Sequence, residues 1–407
     1  MRLLAFTLLL ALINPGAVPA SSEDTVTDQA PRWKAGTSTA VITPEEPLYM
    51  SGYADRKELA EGTEQDLFAK ALAIEDQEGQ RVVILTMDLI GVRDQLRADV
   101  AEQVEERYQL PPECLLINAS HTHCGPAYER DNAQAYLERL TQTLIDLVGQ
   151  ALEDLEPATL TYSHARCGFA MNRRTPSDSG YRNHPYPDGP VDHDVPVMRV
   201  ADEQGELRAV LFGYACHNTT MGFLRWLGDY AGYAQQDFEA DHPGVTALFL
   251  NGCGGDQNPY PRRELPYAQY HGRSLATAVE AALETEQRPL DGPLQAVYET
   301  VDLEYTKSDL DDFPYPVQVV QFGKDLAIIA LGTEVVVDYS LRLKRELTEP
   351  EGPAIWVAGY SNTYAGYIPS KRVLEEGGYE ASSRPWKSDL EERIVDKVHE
   401  LFGPLNP

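Results

Sequence analysis

The sequence predicts an α/β fold, and three neighbouring patterns carry that expectation. Arg81-Val82-Val83-Ile84-Leu85-Thr86-Met87 is mostly apolar, as in a strand covered on both faces. Leu96, Val100 and Val104 then recur every four residues, marking a helix that ends before Pro111-Pro112. Cys114-Leu115-Leu116-Ile117 is the next strand, which completes a β–α–β pattern.

Later segments extend the pattern. Leu137, Leu140, Leu144, Val148, Leu152 and Leu155 describe a long amphipathic helix that stops before Pro157. Residues 163–195 are rich in Arg, Asn, Pro, Asp and Tyr without periodicity, and read as a long functional loop or lid. Apolar runs return at 209–212, 245–250, 326–331 and 354–358, and a last helix is expected around 388–401. Each run is followed by reactive or turn residues: Cys216-His217-Asn218, Asn251 to Asp256, Gly332-Thr333-Glu334, and Gly359 to Asn362. In α/β sheets, sites gather beyond the carboxyl ends of strands, so these ends point to one composite site.

With 407 residues the chain can bury a large core, as one big domain or two intimate ones. Its first twenty residues pair an early Arg2 with an apolar run from Leu3 to Leu12 and a Val18-Pro19-Ala20 site. That is the pattern of a secretory signal peptide over 1–20, followed by a polar linker over 21–32. The expectation is a secreted or periplasmic protein with no transmembrane segment and at most transient contact with a membrane surface. Five cysteines, an odd number, leave at least one unpaired within the chain and are too few to build a disulfide scaffold. A formal charge of -30 repels phosphate backbones and argues against nucleic-acid partners.

Asn118-Ala119-Ser120-His121-Thr122-His123-Cys124-Gly125-Pro126 concentrates the chemistry. On an extended backbone His121 and His123 project to one face, an arrangement that suits a metal pair as well as a hydrogen-bonded turn. His217 and Glu334 are the best-placed candidates for a third ligand. Imidazoles and a carboxylate leave a position open for water, the pattern of a hydrolytic zinc site. Cys124, Cys216 and Cys253 adjoin these motifs, as nucleophiles or as packing. Asn251 to Pro259 is glycine-rich but lacks the ending of a phosphate loop; its glycines either let backbone approach a ligand, with Asp256 and Asn258 pointing inward, or close an ordinary tight turn.

Taken in order, these motifs resemble the neutral (non-lysosomal) ceramidase family. The histidine segment resembles that family's T/S-H-T-H-S-G-P. Ala215 to Met221 resembles its A-V-H-x-T-S-M, and Gly228-Asp229-Tyr230-Ala231-Gly232-Tyr233 resembles its G-D-x-x-G-Y. Gly332-Thr333-Glu334 resembles P-G-E, Ser361 to Tyr367 resembles N-x-Y-x-x-Y, and Tyr379-Glu380 resembles the closing Y-E. The resemblance implies one large domain over 33–405, with mixed β-sheets flanked by helices. It also implies zinc held by His121, His217, Glu334 and Tyr367, with Tyr364 as the alternative to Tyr367. Zinc-bound water then attacks the carbonyl of an N-acyl or lipid-like amide, and His123 protonates the leaving amine. Arg173 and Tyr379 polarise the carbonyl, with Arg174 as the alternative to Arg173.

Two departures qualify that expectation. Asn258 stands where the family's G-D-x-S-P motif has serine, which excludes a covalent route through that position and leaves a hydrogen-bonding amide. The family continues into a C-terminal β-sandwich domain, whereas this sequence runs to Pro407. Both open further readings: a hydrolase for a non-lipid amide or ester, or a metal-binding homologue without catalysis.

Overall fold

Nine strands build the larger of two facing sheets in the computed structural model, which describes residues 32–307 and 309–402. The expected signal peptide, all of the linker except Arg32, and the last residues of the expected domain lie outside the described residues. The strand order is Thr246–Asn251, Leu207–Tyr214, Asp194–Ala201, Glu156–Arg166, Trp33–Val41, Phe68–Glu75, Arg81–Met87 and Leu115–Ala119, with Arg288–Pro289 paired to Glu156–Arg166. The outermost pair at each end is parallel and the pairs between them are antiparallel. A second sheet orders Leu294–Leu303, Phe313–Phe322, Leu326–Leu331 and Ala354–Ala358, the last two parallel.

The two-residue side-chain period of a strand explains how the layers stack. In Arg81–Met87, Val83, Leu85 and Met87 pack with Leu96, Val100, Leu140 and Leu144 of the helices Asp94–Tyr108 and Gln134–Glu153. The alternate residues Val82 and Ile84 face inward, against Val320, Phe322, Ile328 and Trp356 of the second sheet. Helices Asp229–Asp241 and Leu265–Leu283 cover the other end of the large sheet, and Val337–Leu347 and Leu390–Phe402 cover the outer face of the small one. The described residues thus form helix, sheet, sheet and helix layers. Each fully buried aliphatic side chain contributes roughly 1.5–3 kcal/mol.

The apolar runs named from sequence fall on strands, and the long helices fall where periodicity placed them. The segment 163–195 corrects the expectation of a structureless loop. It contains the end of strand Glu156–Arg166, then Ala170–Ser177 paired antiparallel with Gly180–Tyr186, then the start of Asp194–Ala201. In the Gly180–Tyr186 strand five of seven residues are exposed and none is buried, so it has no buried apolar face to betray it.

Asn118 ties three strand ends together. Its Oδ1 accepts from the Asn251 N–H at 2.9 Å, and its Nδ2 donates to the Gly359 carbonyl at 2.7 Å and to Ser361 Oγ at 3.0 Å. Asn251 returns a bond from Nδ2 to the Ser120 carbonyl at 3.0 Å. Being fully buried, these amides meet no competing water.

Candidate active site and metal centre

Immediately past these clipped ends the backbone enters unusual conformations. His121, Thr333, Tyr360 and Asn362 all have positive φ, at 62°, 63°, 50° and 62°. Non-glycine residues hold that conformation only where the surroundings over-determine it, and such residues cluster at functional sites. The His121 N–H is anchored on the Leu89 carbonyl at 2.9 Å, and the His217 N–H on the Gln257 carbonyl at 3.1 Å. The segment from His121 to His123 is therefore not extended as its spacing suggested. The two rings converge all the same, with 3.1 Å between their Nε2 atoms.

His121, His123 and His217 are buried, and one ligand atom from each lies within 4.8 Å of the others, so the group could hold a metal ion. Glu334 Oε2 sits 3.3 Å from His121 Nε2 and 3.1 Å from His217 Nε2. The Tyr367 hydroxyl is 3.4 Å from His217 Nε2. Ligands bound at about 2.0–2.1 Å in a tetrahedron stand about 3.3 Å apart, so the separations of His121 and His217 from Glu334, and of His217 from Tyr367, are of the size a metal centre needs. Burial, with the Arg173 charge behind it, brings the His217 imidazole down to about 3. Burial and the neighbouring His121 and His217 likewise depress His123 well below the ordinary imidazole range. Neutral rings with free lone pairs are what a cation requires.

The three histidines are not equivalent. His121 Nδ1 meets the Ile90 carbonyl at 2.6 Å, and His217 Nδ1 meets the Gly254 carbonyl at 2.6 Å. Those bonds fix the tautomer that aims Nε2 at the centre, the outer support usual for metal-binding imidazoles. The Nδ1 atom of His123 is buried without a partner among the described residues. Its ring instead abuts Gly52, where a Cβ would stand 2.3 Å from the ring carbon. It also meets the Tyr53 ring edge-on at 4.7 Å.

A cavity of about 510 Å³ opens onto this cluster, and His123, His217, Arg173, Asn258, Tyr367 and Tyr379 are among the residues that line it. Arg173 donates to the Tyr367 hydroxyl at 2.9 Å and to Asn258 Oδ1 at 3.3 Å. Its Nε rests on Glu380 at 2.9 Å, while Arg174 takes the other Glu380 oxygen at 2.6 Å. The two arginine alternatives thus separate: Arg173 reaches the cavity, and Arg174 stays behind it on Glu380, Glu376 and the Gly377 carbonyl. The tyrosines separate as well. Tyr364 donates to the outer oxygen of Glu334 at 2.9 Å, whereas Tyr367 faces the histidines. Tyr379 is 56% exposed and packs edge-on against Tyr367 at 5.2 Å, at the cavity wall.

Asp256 departs from the inward orientation expected of it. Its carboxylate accepts from Asn172 Nδ2 at 3.0 Å, Gln257 Nε2 at 2.9 Å and the Val337 N–H at 2.9 Å, where a helix begins. A buried carboxylate satisfies its oxygens with the nearest N–H groups, and the helix start supplies one. All five cysteines are free, and burial drives the Cys124 thiol up to about 12 and those of Cys216 and Cys253 well above their ordinary value. A thiol held protonated is packing, not a nucleophile. Sequence reasoning passed over Gly52, Tyr53, Glu380, Arg262 and Arg263. Glu380 stood in a matched motif, and the Arg262-Arg263 pair follows a strand-end loop, but neither pattern is diagnostic alone.

The same architecture occurs in known proteins. A crystal structure of neutral ceramidase from Pseudomonas aeruginosa superimposes with a TM-score of 0.78 at 19% identity, covering 91% of this chain and 74% of that one. A ceramidase complexed with C2 gives a TM-score of 0.76 at 18% identity, over 90% of this chain and 74% of that one. Neutral ceramidase 1 of Arabidopsis thaliana is 24% identical over 69% of this chain and 37% of its own length. Neutral ceramidase of Drosophila melanogaster is 25% identical over 56% and 36%. The match thus spans little more than a third of those two relatives. Residues 33–259, more than half of the chain and including both histidine segments, match the model of the neutral/alkaline non-lysosomal ceramidase N-terminal region. With fold and sequence in agreement over the same strands, the chain belongs to the neutral/alkaline non-lysosomal ceramidase family.

Proposed function

We propose that the chain is an exported, zinc-dependent hydrolase that cleaves an N-acyl amide of the ceramide type. The observation that carries this reading is the convergence of His121, His217, Glu334 and Tyr367, with His123 reaching the same cluster but lacking, among the described residues, the Nδ1 support that the other two histidines have. When held by those donors, zinc supplies Lewis acidity and acidifies water at neutral pH.

The chain's own groups perform the remaining work. Hydrolysis adds water across the C–N bond, so that the carbonyl carbon gains the oxygen and the amine nitrogen gains a proton. Arg173 and Tyr379 sit on one wall, where their donors meet the carbonyl oxygen as it gains charge; one such donor is typically worth about 3 kcal/mol. His123, whose ring is neutral, takes a proton from the attacking water and delivers it to the leaving nitrogen. Asn258 accepts from Arg173 and from Thr219 Oγ1, each at 3.3 Å, and so steadies Arg173.

One observation favours a substrate more polar than a two-chain lipid. Among the described residues Pro185 is the one aliphatic side chain that lines the cavity; the rest are tyrosine, arginine, histidine, glycine and small polar residues. Apolar walls are what long acyl chains need. Among the described residues no helix is long and apolar enough to cross a membrane.

Metal analysis of the purified protein, with a screen of N-acyl amides and esters, tests the reading. We expect one zinc per chain and amide cleavage that chelation abolishes; full activity in the chelated protein would overturn it. Export is tested by sequencing the mature N-terminus, expected after Ala20.

A further inference from the structure

The cavity is cationic in an anionic protein. Asp and Glu outnumber Lys and Arg by 64 to 34, yet among the described residues none that lines the cavity is acidic. Arg173, Arg262 and Arg263 all line it. Arg173 is neutralised by Glu380. Arg262 and Arg263 form no ion pair among the described residues. Both instead point at one phenol: Arg262 Nη2 lies 3.3 Å and Arg263 Nη1 3.1 Å from the Tyr53 hydroxyl.

The arrangement is built, not incidental. Arg262 Nε is buried without an acceptor among the described residues, an arrangement folded proteins tolerate where something else supplies the acceptor. Arg263 holds a left-handed backbone, φ 85°, fixed by its N–H on the Thr220 carbonyl at 2.7 Å. Tyr53, whose hydroxyl accepts from both guanidiniums, lies with its ring edge-on against His123. The pair therefore stands on the His123 side of the cavity, the side to which the proposed hydrolysis assigns the leaving nitrogen.

Resting on the amide-hydrolase reading above, we infer that the amine half of the substrate carries an anionic group, a carboxylate or a phosphate, held by Arg262 and Arg263 beyond Tyr53. Guanidinium forks suit such oxyanions, and their charge-assisted bonds are the strong ones. The two arginines then act in specificity: they place the amide nitrogen by gripping what is attached to it.

The test compares matched amides: N-octanoylglycine, N-octanoylethanolamine and N-octanoylethanolamine phosphate. Two charge-assisted bonds predict a kcat/KM at least about tenfold higher for an anionic amide than for the neutral one. The carboxylate and phosphate arms show which oxyanion is meant. In Arg262→Gln/Arg263→Gln that ratio is expected to fall towards one, with Arg263→Gln alone giving a partial fall if the double variant does not fold. A wild-type ratio near or below one overturns the inference. So does a ratio unmoved by the variants, which would put the anion on Arg173 or the metal centre.

Calorimetric binding of the uncleavable ethers octyloxyacetate, 2-octyloxyethanol and 2-octyloxyethyl phosphate reads the same ratio without turnover. If no amide is cleaved, the hydrolase reading fails on its own, and the ether affinities still decide the arginine pair. Raising the salt concentration should erode the preference, since the pair is partly open to solvent.

Discussion

Arg173 donates to the hydroxyl of Tyr367 across 2.9 Å, and through that bond the wall of the cavity touches the ligand cluster. Arg173→Lys keeps a charge but loses the fork that spans Tyr367, Glu380 and Asn258. We expect kcat to fall about 100-fold, in the range for losing one oxyanion donor, with metal content unchanged. Steady-state kinetics paired with metal analysis checks it; wild-type kcat would remove Arg173 from the chemistry.

His121 and His123 should part company under substitution. His121→Ala removes a ring oriented by the Ile90 carbonyl and is expected to lose both metal and turnover. His123→Ala removes a ring with no such tether and is expected to keep the metal while losing turnover by about 100-fold or more. Equal metal loss in both variants would make His123 a ligand.

Glu380 is the counter-charge for both buried arginines. Burial alone would raise its carboxyl, but Arg173 and Arg174 hold it below the usual range. A depressed folded pKa contributes stability above the unfolded value, and that stability is lost as pH falls through the folded value. Glu380→Gln should therefore cost about 3–5 kcal/mol at neutral pH, because it leaves the buried Arg173 without an ion pair and Arg174 with Glu376 alone. The cost should shrink in acid, as denaturant unfolding at pH 7 and pH 3 would show.

Asp88 has the opposite sign. Buried, with the Phe68 N–H on its carboxylate at 3.1 Å, it is pushed up to about 6. A raised carboxyl favours the folded state below the unfolded value of about 4, and that advantage is lost as pH rises through about 6. The shift corresponds to about 3 kcal/mol. Asp88→Asn, which keeps an acceptor for Phe68, should thus gain stability relative to wild type between pH 4 and pH 8. Unfolding curves at both values check it, and a constant difference would refute the assignment.

Much of this was legible in the chain. Strands buried on both faces announce themselves as apolar runs, and the loaded ends of those runs marked where the site would form. The hairpin over 170–186 was illegible because its outer strand is solvated and carries no periodic apolar face. Asp256 looked like a site residue, since sequence shows an acid near a glycine loop but not the helix start that claims it. The division between His121 and His123 became physical only through Nδ1: that of His121 meets a carbonyl 31 residues away, and that of His123 has no partner among the described residues. Tyr53 had no motif at all; tertiary packing alone brings it to His123.

The Asn118 clip has a consequence for assembly. The donors beyond it come from segments well separated in sequence, His217 lying 117 residues from Glu334 and 150 from Tyr367, and they meet only when three strand ends are locked to one side chain. An unfolded chain has no such centre to offer, so any ion resident there binds the finished fold alone and raises its stability by mass action. Loss of that one amide, in Asn118→Ala, would weaken metal retention from a position that touches no metal.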